Sequence, residues 1–209
     1  MEKFTRHRGV AAALLQDNID TDAIIPSREM KAVSKHGLGE GLFAGWRYKT
    51  PGERDINPDF VLNRPEQAGT TILLAGDNFG CGSSREHAVW ALKEYGIRAI
   101  IAESFGSIFF NNCIRNGILP VVLARSDIAA LAKHAAEDPQ LKTITIDLEH
   151  YIVLNGGHSY VFSLGEGPRE MLMQGLDPIG LTLLHEDAIS AFEEADRERR
   201  PWAYKINQA

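Results

Sequence analysis

From residue 70 to residue 136, short apolar runs alternate with amphipathic segments of helical length, and this alternation limits the fold more than any other feature. Thr70–Ala75 reads as a buried strand, Glu86–Tyr95 as a helix stopped by Gly96, and residues 98–102 as the next strand. A second helix is expected at about Ser107–Asn116, with Gly117 as the left-handed residue past its end. A strand at 118–123 follows, then a helix at 128–136 capped by Ser126 or Asp127. Strands separated by helices of this length pair in parallel through helical crossovers. Further strands are expected at 10–15, 143–147, 151–155 and 159–163, the last two joined by a Gly156-Gly157 hairpin turn. Residues 168–174 and 188–199 read as closing helices. In residues 27–69 glycine and proline recur without periodicity, the pattern of a functional loop rather than a linker.

The loop between the first strand and helix of this series runs Gly76-Asp77-Asn78-Phe79-Gly80-Cys81-Gly82-Ser83-Ser84-Arg85-Glu86-His87-Ala88. Gly80 and Gly82 allow positive φ and close approach of the backbone to a ligand. Ser83, Ser84 and Arg85 fall at a helix N-terminus, where unpaired N–H groups and roughly half a positive charge favour an anion. A carboxylate there suits the bidentate edge of arginine. Ser83-Ser84-Arg85-Glu86 also spells a capping box, with Ser83 as cap and Glu86 reaching back. No Gly-Lys-Ser/Thr follows, which excludes a P-loop, and Arg85 stands where a dinucleotide fingerprint needs its third glycine. Cys81 has no adjacent His or Lys to activate it and is expected to pack. Cys113, in a stripe with Phe109, Phe110 and Ile114, is expected in the core, and His87 is expected to be structural.

The 209 residues are 44% hydrophobic, enough for a substantial core, and the net charge of −6 argues against nucleic-acid binding through a basic face. Arg197, Arg199 and Arg200 are expected to solvate a helix end. No apolar run is long enough to span a bilayer and no signal-peptide pattern is present, so a cytoplasmic setting without membrane contact is expected. Cys81 and Cys113 are too few for a disulfide framework or an iron–sulfur cluster, and no paired His or Cys spacing suggests a metal held by this chain.

The run Gly80 to Ala88 resembles the mobile swivel domain of the aconitase superfamily, and most closely its 3-isopropylmalate dehydratase small-subunit family. Similar stretches recur in order: Asn18-Ile19-Asp20-Thr21-Asp22-Ala23-Ile24-Ile25-Pro26, Gly37-Leu38-Gly39-Glu40-Gly41-Leu42-Phe43 with Trp46-Arg47, and Asn57-Pro58-Asp59-Phe60-Val61-Leu62-Asn63. Ser104-Phe105 through Phe109-Phe110-Asn111-Asn112, Gly117-Ile118-Leu119-Pro120-Val121 and the run Gly175 to Leu183 continue the match over nearly the whole chain. The resemblance implies an α/β fold of the aconitase C-terminal type, a swivelling β/β/α barrel-like domain over residues 1–209. That domain carries an irregular substrate-loop segment at about 27–69 and a C-terminal helical extension at about 168–209. It further implies a heterodimer in which the 4Fe–4S cluster, with one iron open, sits on the large subunit, and this chain binds no cofactor or metal.

The implied activity is that of a hydro-lyase in leucine biosynthesis, which interconverts 2- and 3-isopropylmalate, small dicarboxylates, and needs the large subunit. By motif position, Ser83 matches the catalytic serine that removes and returns the proton, and Ser84 and Arg85 match substrate carboxylate binders. Asp22, Thr21, Gly80 and Gly82 match supporting positions; for Asp22 a plain Asx-turn cap is the competing reading. Relatives often carry Arg-Thr before the Gly-Phe-Gly of the loop that contacts the substrate's variable group. Here Lys35-His36 precedes Gly37-Leu38-Gly39, so Lys35, His36 and Leu38, with Arg28 nearby, are the candidate specificity residues. That departure leaves other alkyl-malates open, among them citraconate or methylmalate, dimethylmalate and homoaconitate. A non-catalytic anion-binding module remains the alternative from another class.

Overall fold

The computed structural model describes residues 1–30 and 36–204, which places Lys35 outside the described residues. The chain divides into two compact units, Met1–Gly175 and Leu176–Ala209.

The first unit is built on seven strands: β1 (Arg6–Leu14), β2 (Thr70–Ala75), β3 (Ala99–Ala102), β4 (Leu119–Val122), β5 (Ile144–Asp147), β6 (Ile152–Asn155) and β7 (His158–Val161). Their order is β4-β3-β2-β1-β5-β6-β7, an open half-barrel sheet of α/β type. β2, β3 and β4 pair in parallel, as their near-continuous apolar sequences require when both faces are covered. β1 is the pivot. Its first half, Arg6 to Gly9, pairs antiparallel with β5, whereas Val10 to Leu14 pairs parallel with β2. A register shift between Val10 and Ala11 marks the change of partner. The strand therefore begins four residues before the apolar run at residue 10, because Arg6 and Arg8 point to the half-solvated face of an antiparallel pair.

The helices of this unit are α1 (Thr21–Ile24), α2 (Ala44–Arg47), α3 (Glu86–Tyr95), α4 (Ser107–Asn116), α5 (Arg125–Glu137) and α6 (Glu166–Gln174). α3 and α4 occupy the predicted spans, and both end on a left-handed glycine, Gly96 and Gly117. Two capping expectations fail. α5 starts at Arg125 with Ala124 as cap, one turn before the expected Ser126 or Asp127, since the Arg125 guanidinium is held by Asp17 and Glu103. The α3 cap is Arg85 rather than Ser83.

Residues 36–69 are packed single turns rather than a free flap. Leu38, Leu42, Phe43 and Leu62 are buried in the core, and Phe43 stacks on Trp46 at 5.5 Å between ring centroids. Glu94 of α3 accepts three successive backbone N–H groups, from Gly37, Leu38 and Gly39, at 2.6, 2.5 and 2.8 Å. Burial alone would raise this carboxyl; the backbone donors outweigh it, and Glu94 titrates below its ordinary range. A lowered native pKa means that the clasp is complete above the usual carboxylate range and is lost as pH falls through the native value. Glu94→Ala is expected to speed amide exchange at Gly37–Gly39 by roughly tenfold or more at neutral pH, read by hydrogen–deuterium exchange. Unchanged exchange would show that the core, not the clasp, holds this loop.

The second unit consists of α7 (Pro178–Leu183), α8 (Glu186–Arg199) and the turn Pro201–Tyr204. Asp177 caps α7 by accepting from Gly180 N at 2.7 Å. Within this unit the basic cluster is paired as a helix end: Arg200 with Asp196 and Arg197 with Glu193. Among the described residues no helix is long and apolar enough to cross a membrane.

Candidate active site

The site lies beyond the carboxyl ends of the parallel strands, where open α/β sheets bind ligands. Three loops meet there and are sewn together by main-chain bonds. Gly80 N donates to Ile19 O at 2.7 Å, Thr21 N to Cys81 O at 3.0 Å, Phe79 N to Ser104 O at 3.0 Å and Gly106 N to Phe79 O at 2.9 Å. Side chains tighten the same seam: Ser104 Oγ donates to Asp77 Oδ1 at 2.5 Å and Asn78 Nδ2 to Asn18 Oδ1 at 2.8 Å. The glycine loop thus extends β2 as a rigid ledge between the neighbouring loops. Beneath it, Phe79 is fully buried, edge-on to Phe105 and Phe109.

Gly80 and Gly82 adopt φ of +72° and +86°, values that favour glycine. The turn after Gly82 lifts Ser83 clear of the α3 cap position, and Arg85 N donates to Ser83 O at 2.7 Å. The capping box does not form. Glu86 instead accepts from Asn116 Nδ2 of α4 at 2.9 Å, and no side chain caps α3. Ser83 and Ser84 are exposed, and among the described residues neither hydroxyl has a protein partner. Both residues line the same cleft.

Thr21 is buried and donates its hydroxyl to Ser83 O at 2.9 Å, fixing the backbone that carries the serine. The Asx cap expected as the alternative role of Asp22 belongs to Asp20, whose Oδ1 accepts from Ala23 N at 2.7 Å. Asp22 pairs with Arg85 Nη1 and also accepts weakly from Ser27 at 3.4 Å. Among the described residues the Nε and Nη2 of Arg85 have no acceptor, so one edge of the guanidinium stays available for a carboxylate.

Thr21, Ser83, Ser84 and Arg85 line a cleft of about 240 Å³. α4 also opens onto it through Gly106, Ser107 and Ile108, and α4, like α3, has no side-chain cap. Two uncapped ten-residue helices therefore present their N-termini to one cleft, where their unpaired N–H groups and dipoles add to the Arg85 charge. The α4 contribution is not legible in the sequence, and nor are Asn78 and Asn112, which also line the cleft. The available signal is Asn112 itself, a polar residue in the apolar stripe of Phe109 and Cys113.

The loop candidates lie elsewhere. Arg28, His36 and Leu38 line a second cleft with Glu29, Gly52 and Arg54, which shares no residue with the first. Arg28 pairs with Glu29 at 3.4 Å, and Leu38 is only 3% exposed. Cys81 lines the Ser83 cleft, but burial first and the nearby Asp20 charge second push its thiol above the ordinary range, away from a reactive thiolate. Cys113 is sealed in the core, where burial raises it well above that range. Among the described residues no group of three or more His, Cys, Asp or Glu is placed to hold a metal ion.

The family model of the aconitase C-terminal domain matches residues 1–126, and that of the C-terminal domain of the 3-isopropylmalate dehydratase small subunit matches residues 179–204. The chain is 62% identical to a 3-isopropylmalate dehydratase small subunit from Cupriavidus necator, across 98% of this chain and 99% of that protein. It is 46% identical to the protein of the same name from Neisseria gonorrhoeae, over 98% and 99% of the two chains. A crystal structure of 3-isopropylmalate dehydratase from Methanocaldococcus jannaschii superposes with a TM-score of 0.64 at 27% identity, covering 90% of this chain and 99% of that one.

Proposed function

Because the chain belongs to the 3-isopropylmalate dehydratase small-subunit family of aconitase C-terminal domains, we propose that Ser83 is the catalytic base and Ser84 and Arg85 the carboxylate clamp of that hydro-lyase. As a small subunit it works with a larger one, and the two interconvert 2-isopropylmalate and 3-isopropylmalate by losing water to an alkene diacid and regaining it at the neighbouring carbon. One observation carries the reading: an uncommitted serine hydroxyl and a free guanidinium edge share a cleft with two uncapped helix N-termini.

The chemistry asks for a base strong enough to take a proton from a carbon beside a carboxylate, while hydroxide leaves the adjacent carbon. Serine reaches that strength only as an alkoxide, which the converging N–H groups, helix dipoles and Arg85 favour. Ser83 takes the carbon-bound proton, keeps it on Oγ while the alkene diacid is present, and returns it on rehydration. The Ser84 hydroxyl and the Nε/Nη2 edge of Arg85 bind a substrate carboxylate. Asp22 positions that edge by holding Nη1, and Thr21 fixes Ser83 through its carbonyl.

Among the described residues the donor set fits no iron–sulfur cluster, since Cys113 is sealed and Cys81 has no companion ligands. The 4Fe–4S cluster belongs in this proposal to the larger subunit, and when bound it supplies a Lewis acid for the departing hydroxyl. Arg28, His36 and Leu38 line a cleft separate from that of Ser83, so in this proposal their loop, with Lys35, bears on the substrate's alkyl group only in the assembled pair, Leu38 acting through the packing that shapes the loop.

Reconstitution with the larger subunit, followed by a panel of 2-isopropylmalate, citraconate and dimethylmaleate, tests the proposal. Turnover of the isopropyl substrate is expected; failure with every diacid would reject it. Arg85→Lys replaces two parallel hydrogen bonds by one point charge, and KM is expected to rise about 10- to 100-fold with a smaller change in kcat. An unchanged KM would remove Arg85 from the clamp.

A further inference from the structure

One polar group in the wall of the Ser83 cleft is used by none of the steps above. Asn112 lies on α4 and is only 9% exposed, yet it lines the cleft together with Ser83, Ser84 and Arg85. Its backbone carbonyl accepts from Asn116 Nδ2 at 2.9 Å, but among the described residues its carboxamide has no hydrogen-bond partner. Its neighbours on the same helical face, Phe109 and Cys113, are buried and apolar. Most side-chain polar groups buried this deeply are satisfied within the fold, and an aliphatic side chain would fill such a position without loss. A carboxamide left open toward a ligand cleft is matched to something that arrives there. It offers two N–H donors and one acceptor without adding charge.

We propose that Asn112 is a substrate-contacting residue, its Nδ2–H donating to a carboxylate oxygen of the dicarboxylate beside the Ser83 loop. The proposal rests on the dicarboxylate reading of this cleft. A neutral donor from the cleft wall complements the guanidinium: Arg85 supplies charge, and Asn112 supplies direction.

The test uses the full-length chain paired with its larger subunit. Asn112→Leu removes donor and acceptor at similar size. Calorimetric binding of 2-isopropylmalate to the pair carrying Ser83→Ala, with and without Asn112→Leu, is expected to weaken about 10- to 100-fold, as for a lost hydrogen bond to a charged group. The Tm of the free chain is expected to stay level or rise, because no internal hydrogen bond is lost. Unchanged affinity overturns the proposal. So does an affinity loss accompanied by a falling Tm, which would mean that the amide serves the fold. Should the leucine variant not fold, Asn112→Asp keeps the shape but turns the donor into a repelling carboxylate; it must then weaken binding, and undiminished affinity overturns the contact. Turnover of 2-isopropylmalate by the wild-type pair is measured first, so that failure of the functional reading is seen separately.

Discussion

Ser83→Ala is expected to lower kcat of the reconstituted pair by at least roughly 10³-fold, the scale of losing a positioned base. Binding of the substrate should change little, because the carboxylate clamp and both helix N-termini remain. Heterodimer formation and Tm should also hold. The Ser83 hydroxyl has no partner among the described residues, and the backbone around it is fixed by Thr21 and the loop seam rather than by Oγ. This combination separates chemistry from structure: a turnover loss with retained assembly marks the reacting group, whereas a loss of assembly marks a structural one. Single-turnover exchange of the substrate's carbon-bound proton with solvent gives the sharpest reading, since only the base moves that proton. Exchange that survives in Ser83→Ala would take the proton step away from Ser83.

Much of this cleft follows from local rules of the sequence. The apolar run of β2 and the terminal glycines Gly96 and Gly117 mark strand and helix limits by steric preference alone, and they fall at the expected positions. Residue types in the glycine loop likewise single out Ser83, Ser84 and Arg85, which line one cleft. The errors have a common cause. Ser83 obeys the spacing of a capping box, but the positive φ of Gly82 and the bond from Arg85 N turn it outward, and Asn116 claims Glu86 from 30 residues away. Asp22 meets Arg85 across 63 residues, and Glu94 meets Leu38 across 56. β1 changes partner midway because two distant strands compete for it. None of these pairings has a local signature. Each depends on which segments the sheet brings together, and so the α4 terminus and Asn112 enter the cleft without notice in the sequence.

The stiffness of the ledge under Ser83 yields the largest expected effect on stability. A Cβ added at Gly80 would lie 2.2, 2.4 and 2.6 Å from ring atoms of Phe109, at a φ of +72°. Phe109 is 3% exposed and wedged against Phe79, so the ring can leave Gly80 only toward the cleft that it lines, at the cost of its packing on Phe79. Gly80→Ala is therefore expected to cost about 1 kcal/mol for the left-handed backbone and about 1–3 kcal/mol more for overpacking, lowering Tm by roughly 5–15 °C. Gly82→Ala is the matched comparison. Its φ is +86°, but its nearest neighbour is Asp20 Cβ at 3.4 Å, an ordinary contact, so only the backbone part should appear. The difference between the two melts isolates the ring contact. Near-equal melts would show that Phe109 yields easily, and the ledge would then lack the stiffness that holds Ser83 in line with its proton.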